Sequence, residues 1–404
     1  MSLTILIDLD NTLISNDMDR FIPAYLQKLS NYLPDWPSEK VIYELLAGTR
    51  AMIAKNTPAK TLMEVFDEVF YRGLGVDKDG LKEKIESFYR DEFPSLQGLT
   101  SPRPEAVRVM EYLFEKNYLV AIATNPVFPR TAILQRLAWA GLPVERYPFK
   151  LVTSFEEFHF SKPHSAYLAE ILAQMGWPDQ PAVMIGDRLE EEIIPAGKLG
   201  IPAFWISENR EMLPAGLHSL SSKGRLADVV PWLKTLKKQP VDMQFSTPAS
   251  ILAILKSTPA ALQTLTANLS REEWSRRPSD NEWSLTEIAC HLRDVDREVN
   301  LPRIKLVSSG QNPFIPGVVT DIWAEERDYL HQDGQNGLAF FLDTRTELIQ
   351  LLGNLDEQSW KLPARHTIFG PTQLVELAGF ISTHDRTHIH QAFETVRRIR
   401  KSGV

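Results

Sequence analysis

Cysteine is nearly absent: the 404-residue sequence contains one, Cys290. A single thiol cannot close an internal disulfide, and such a chain suits a reducing compartment. Long apolar runs are missing too, and none approaches the ~20 residues that a membrane-spanning helix needs. Basic residues are outnumbered, 44 Lys and Arg against 52 Asp and Glu, for a formal net charge of −8. Sequence-independent binding of nucleic acid draws on gathered cations that displace counterions. The short basic runs here, Lys237-Lys238 and Arg397-Arg398, read instead as solubilised helix ends. Repeats and low-complexity tracts are lacking. No signal peptide is expected, because Leu3-Thr4-Ile5-Leu6-Ile7 already reads as a strand. The expectation is a cytoplasmic protein with neither nucleic acid nor membrane as partner.

What is present is globular: 43% hydrophobic and 24% charged residues, in a chain too long for one ordinary core. Short apolar runs alternate with helical patterns at first, which predicts an α/β fold with a doubly wound, Rossmann-like parallel sheet. The strand candidates are 3–7, 119–123, 151–153, 182–185 and 203–206. Between the first two lies a stretch with helical periodicity only (Phe21, Tyr25, Leu26, Leu29, then Leu62, Val65, Phe66, Val69), a helical cap inserted at about 16–98. This domain is expected to span 1–238. A polar linker follows at 239–246, and from Thr247, a candidate N-cap before Pro248, an all-α four-helix bundle is expected over 247–404, with no strand.

Chemistry-bearing residues gather at the strand ends of the first domain. Asp8-Leu9-Asp10-Asn11-Thr12 follows the first strand, Thr124-Asn125 closes the second, Ser161-Lys162-Pro163 sits near the third, and Gly186-Asp187 ends the fourth, with Glu190, Glu191 and Glu192 after it. Carboxylates so close disfavour one another unless a cation or proton is shared. A lone Asp-x-Asp is a weak signal, more often a solvated turn. Four such motifs converging on one sheet edge, where doubly wound sheets bind ligands, are a strong one.

On these motifs the first 240 or so residues resemble the haloacid dehalogenase-like superfamily, in its form with a helical cap. The resemblance implies that Asp8 is a nucleophile, Asp10 a general acid/base, and Thr124 and Lys162 the holders of a phosphoryl group. Thr12 and Asn125 are candidate substrate contacts. Magnesium would be bound by Asp8, Asp10, Asp187 and Glu191 or Glu192, with Glu192 the better spacing match. Dehalogenating members lack the second aspartate, so Asp10 favours phosphate esters. In the cap, Arg50, Lys55 and Lys60 could meet a substrate anion, although exposed cations on helices are ordinary.

In the second half, His384 and His388 stand four apart, on one face of a helix, the spacing with which two imidazoles grip one metal. His291 lies on a strongly apolar helix, where a lone histidine is usually a satisfied core residue. His390 points elsewhere, His366 reads as a structural loop residue, and Cys290 points away from its neighbour His291. Glu282-Trp283-Ser284 leading to His291-Leu292, with His384-Asp385-x-x-His388-x-x-Gln391, resembles the DinB-like family of four-helix bundles. That resemblance implies a second divalent metal, zinc or nickel, on His291, His384 and His388, and in some relatives a thiol-dependent transferase.

The function expected is a magnesium-dependent phosphohydrolase acting on a small phosphorylated metabolite through an aspartyl-phosphate. Its bundle would bind a metal and work on a low-molecular-weight thiol. The alternative is a phosphatase or phosphomutase whose bundle only binds a partner or forms a homodimer.

Overall fold

The computed structural model of the chain describes residues 2–238 and 240–402. Gln239, inside the expected linker, and 403–404, at the end of the expected bundle, lie outside the described residues. Two compact units emerge, one of Met1–Asn56, Lys60–Ile171 and Asp179–Met243, the other of Thr57–Ala59, Leu172–Pro178 and Gln244–Val404. Residues 240–246 carry no helix or strand. Among the described residues, no helix is long and apolar enough to cross a membrane.

In chain order the strands of the first unit are β1 (Thr4–Ile7), β2 (Ile14–Asn16), β3 (Thr100–Pro102), β4 (Leu119–Ile122), β5 (Leu151–Val152), β6 (Ala182–Gly186), β7 (Ala203–Ile206) and β8 (Ser222–Gly224). Six of them form one sheet in the order β5-β4-β1-β6-β7-β8, with every pair parallel. β1, β6 and β7 are buried along their whole length. Strands covered on both faces read as continuous apolar runs, which is why they stand out in the sequence. The chain runs from β1 outward through β4 to β5, then returns to the other side of β1 for β6, β7 and β8. The order therefore reverses between β1 and β6, the place where such sheets leave a ligand crevice.

The cap enters and leaves through the antiparallel pair β2–β3. It comprises α1 (Met18–Tyr32), α2 (Ser38–Ala54), α3 (Leu62–Leu74) and α4 (Lys78–Ser87). Helix α3 begins in a capping box between Thr61 and Glu64 and ends at Gly75, whose φ of 78° suits a residue without Cβ.

The second unit is built on helices Pro248–Thr266, Leu285–Val295, Gly334–Gly353 and Leu374–Ser402. The second of these runs on through a π-turn, Asp296–Asn300, into Leu301–Ser308. Its start is set by Ser284, whose side chain caps the Glu287 N–H while the Glu287 carboxylate accepts from the Ser284 N–H at 2.8 Å. The expectation of a strand-free second half needs correcting: β9 (Phe314–Ile315), β10 (Pro363–His366) and β11 (Gly370–Gln373) form a small sheet. These strands are short and interrupted by Pro363 and Pro371, so no period-2 pattern marks them. His366 accordingly ends a strand, and its Nδ1 accepts from the Ile368 N–H at 3.2 Å.

Inside the bundle the fully buried Arg345 lies between two buried carboxylates. Its Nε donates to Asp296 Oδ2 at 2.6 Å, and its Nη2 donates to Asp296 Oδ1 and Asp385 Oδ1, each at 3.0 Å. The planar fork of a guanidinium can satisfy two carboxylates at once, which an ammonium on a flexible stem cannot.

Candidate functional site

Asp8 follows β1 and is held by its own N–H, which donates to the Ile185 carbonyl of β6 at 3.0 Å. The buried Lys162 ammonium donates to Asp8 Oδ1 and to Glu192 Oε1, each at 2.6 Å. Oxygens of Asp8, Asp187 and Glu192 lie within 4.8 Å of one another. Glu192 arrives there through a π-helical turn, Leu189–Ile193, which buries it and leaves Glu190 exposed. Glu191 stays half-buried, 3.9 Å from Arg188. Gly186 makes room for this carboxylate, because a Cβ there would sit 1.8 Å from Glu192 Oε2.

Asp10 is not among the clustered oxygens. Its carboxylate accepts from Asn16 Nδ2 at 2.9 Å and pairs with Arg136. Asn125 Oδ1 accepts from the Lys162 N–H at 3.3 Å. Thr124 and Thr12 are buried. The Thr124 carbonyl accepts from Tyr167 at 2.6 Å, and the Thr12 hydroxyl has no partner among the described residues. A cavity of about 570 Å³ is lined by Asp8, Asp10, Asn125, Lys162, Asp187 and Glu192, but not by Thr12 or Thr124. Nor do the cap cations line it: Arg50 is exposed, Lys55 donates to the His159 carbonyl at 3.0 Å, and Lys60 pairs with Glu68. Beside Lys162, the buried cation lining the cavity is Arg136. Its only sequence signal is a place on the apolar face of helix Arg130–Trp139, with Ala132, Ile133 and Leu137.

In the bundle, His291, His384 and His388 turn their Nε2 atoms toward one point. His384 Nε2 lies 3.0 Å from that of His291 and 3.1 Å from that of His388. Nitrogens bound tetrahedrally to one zinc at about 2.0–2.1 Å stand roughly 3.3 Å apart. His388 Nδ1 faces Gln391 Oε1 at 3.0 Å, which places the ring proton on Nδ1 and leaves the Nε2 lone pair inward. The Trp283 indole stacks on His388, with centroids 5.7 Å apart and planes 2° from parallel. Cys290 and His390 are not in the cluster. Beside it, His384 and His366 help line a second cavity of about 260 Å³.

The family model for haloacid dehalogenase-like hydrolases matches residues 3–200, and that for the DinB superfamily matches 254–392. The chain joins a haloacid dehalogenase-like hydrolase domain to a DinB-superfamily domain. Among solved structures, a HAD phosphatase from Thermococcus onnurineus is 17% identical, covering 60% of this chain and 100% of its own, with a TM-score of 0.37. A 2-haloacid dehalogenase from Pseudomonas syringae pv. Tomato DC3000 is 19% identical over 58% of this chain and 99% of its own (TM-score 0.40). On the DinB side, YfiT from Bacillus subtilis, described as a probable metal-dependent hydrolase with an unusual four-helix bundle topology, is 21% identical over 40% of this chain and 91% of its own (TM-score 0.35). No curated protein matches the chain's sequence.

In the hydrolase domain, three carboxylates face one ammonium. Burial alone would lower the Lys162 ammonium, but the Asp8 and Glu192 charges outweigh it and hold it above its ordinary value. Burial, then the charge of Asp8, pushes Asp187 up to about 6, and the same two causes raise Glu192 well above the usual carboxylate range. Asp8 Oδ2 is buried with no hydrogen-bond partner among the described residues. Crowded anions with an unused lone pair fit a hard divalent cation. Gly186→Ala should push the Glu192 carboxylate aside and weaken binding of a divalent cation at this cluster about 10–100-fold. An unchanged cation-binding isotherm would contradict this.

In the DinB domain, burial pushes His291 down to about 2 and His384 and His388 down to about 4. The rings therefore stay neutral, with lone pairs available for a metal, well below neutral pH. For metal-free protein the sign is clear: the folded values lie below the ordinary 6.5, so the unfolded chain takes up protons first. Stability present above pH 6.5 is lost as the pH falls toward 4, by on the order of 3 kcal/mol for His384 or His388. Denaturant titrations of stripped protein at pH 7.5 and 4.5 should show the loss, and a His291→Leu variant should show less of it. Equal acid sensitivity in both proteins would remove the histidines as the cause.

Proposed function

We propose that the hydrolase domain is a magnesium-dependent phosphohydrolase working through an aspartyl-phosphate on Asp8. The observation that carries this reading is the meeting of Asp8, Lys162, Asp187 and Glu192 where the strand order reverses, between β1 and β6. Asp8, Asp187 and Glu192 would hold the magnesium, which when bound neutralises charge on the phosphoryl oxygens. Lys162 supplies a fixed positive charge to the same oxygens. An Asp8 carboxylate oxygen attacks phosphorus, the bond to the ester oxygen breaks, and a proton from Asp10 goes to the departing alkoxide. Asp10 then takes a proton from the water that cleaves the acyl-phosphate and restores Asp8. Arg136 and Asn16 keep the Asp10 carboxylate in place for both transfers. Release of inorganic phosphate from esters, dependent on added magnesium and stopped by excess chelator, tests the proposal.

For the DinB domain we read a catalytic metal centre on His291, His384 and His388, with zinc or nickel suited to three imidazoles. The cavity beside His384 favours this over a purely binding or dimerising module, which needs no pocket next to the histidines. A low-molecular-weight thiol is the co-substrate class this reading takes from the family resemblance. Thiol consumption by metal-loaded protein, lost in His384→Ala, is the corresponding test.

A further inference from the structure

The 570 Å³ cavity of the hydrolase domain is charged where the phosphoryl group would sit and apolar on the cap side. Leu26 and Leu29 of α1, Leu45 of α2 and Phe66 and Phe70 of α3 form that side, and Phe128 closes it from the core. Four polar groups on that side are already engaged with protein. The Tyr25 and Tyr89 hydroxyls bond to each other at 2.7 Å. Thr49 donates to the Leu45 carbonyl at 2.9 Å, and Asp67 accepts from Lys78 at 2.6 Å. Sugar hydroxyls packed against these side chains would lose water without gaining partners, which is unfavourable. Beyond Lys162 and Arg136, which is paired with Asp10, the lining would offer a polyphosphate one more cation, Arg188, against the carboxylates of Asp17, Asp19 and Asp67. A volume of this size suits a body of many carbon atoms, not a two-carbon acid.

We propose that the substrate is a phosphate monoester of an aromatic or similarly bulky apolar alcohol, with the alcohol body lodged against the cap. This rests on the phosphohydrolase reading above and narrows its substrate class. The test uses the full chain and three primary alkyl esters, so that the leaving groups are alike: naphthylmethyl phosphate, glycerol phosphate and glucose 6-phosphate. The naphthylmethyl ester should have the highest kcat/KM, by at least about tenfold, since burying its rings removes much apolar surface from water. Leu46→Trp, at a half-exposed position lining the same cavity, should lower that value at least about tenfold more than it lowers the glycerol ester's. Equal or better turnover of glucose 6-phosphate overturns the proposal. Binding measured without magnesium separates the two readings. No turnover of any ester, with the naphthylmethyl compound still bound tightest, would end the hydrolytic reading and support the cavity's selectivity. Equal binding of all three esters would end the selectivity itself.

Discussion

Asp8→Asn should cut magnesium-dependent ester hydrolysis by at least about 10⁴-fold while leaving the protein folded. An amide has no anionic oxygen to attack phosphorus, so the two-step route closes altogether, and losses of this order follow removal of a nucleophile. The variant also removes one of the three clustered carboxylates, so its affinity for magnesium should weaken in parallel. The neighbouring geometry limits collateral damage: Lys162 keeps its bond to Glu192, and the Asp8 backbone keeps its bond to Ile185. Turnover should be followed by phosphate release and folding by circular dichroism. Substantial residual turnover in a folded variant would rule out Asp8 as nucleophile.

The second large effect concerns the histidines. The full chain should carry about one equivalent of a transition metal, and the His384→Ala/His388→Ala double variant essentially none. A site occupied at a thousand times its dissociation constant stabilises the folded state by about 4 kcal/mol, so the metal-loaded chain should melt well above the stripped one. Because burial holds His384 and His388 near 4, protons should begin to displace the metal closer to pH 4 than to pH 6. Elemental analysis after dialysis at stepped pH measures both points. Equal metal content in the two proteins would return these residues to packing.

The strands that carry the hydrolase motifs are legible in the sequence for a physical reason. β1, β4 and β6 are central and parallel, so they are short unbroken apolar runs. β8, Ser-Lys-Gly at the sheet edge, has no such run, the strands of the cap stem are three residues long, and β10 and β11 of the DinB domain carry no apolar run. Side-chain direction is harder to read than strand position. A regular 3.6-residue helix does not decide between Glu191 and Glu192, and the π-turn that buries Glu192 inserts an extra residue per turn. The same limit applies to Asp10: its spacing from Asp8 suggests a shared cation, yet its carboxylate faces Arg136, 126 residues further on. In the DinB domain the i, i+4 pair His384 and His388 is local and legible. His291 is 93 residues from His384, and only packing brings their nitrogens together.

The buried Arg345 has a consequence for anyone who would move the histidine site to another scaffold. Asp385 follows His384 directly, and Asp296 opens the π-turn one helical turn beyond the His291 segment, so one guanidinium ties together the two helices that supply the rings. Three histidines copied without this tie would have no fixed spacing between the helices. Copied with the aspartates but without Arg345, they would bring two uncompensated buried charges. The portable unit is therefore six residues on three helices, and the arginine, which touches no imidazole nitrogen in the cluster, is the member a sequence-guided transplant would leave behind.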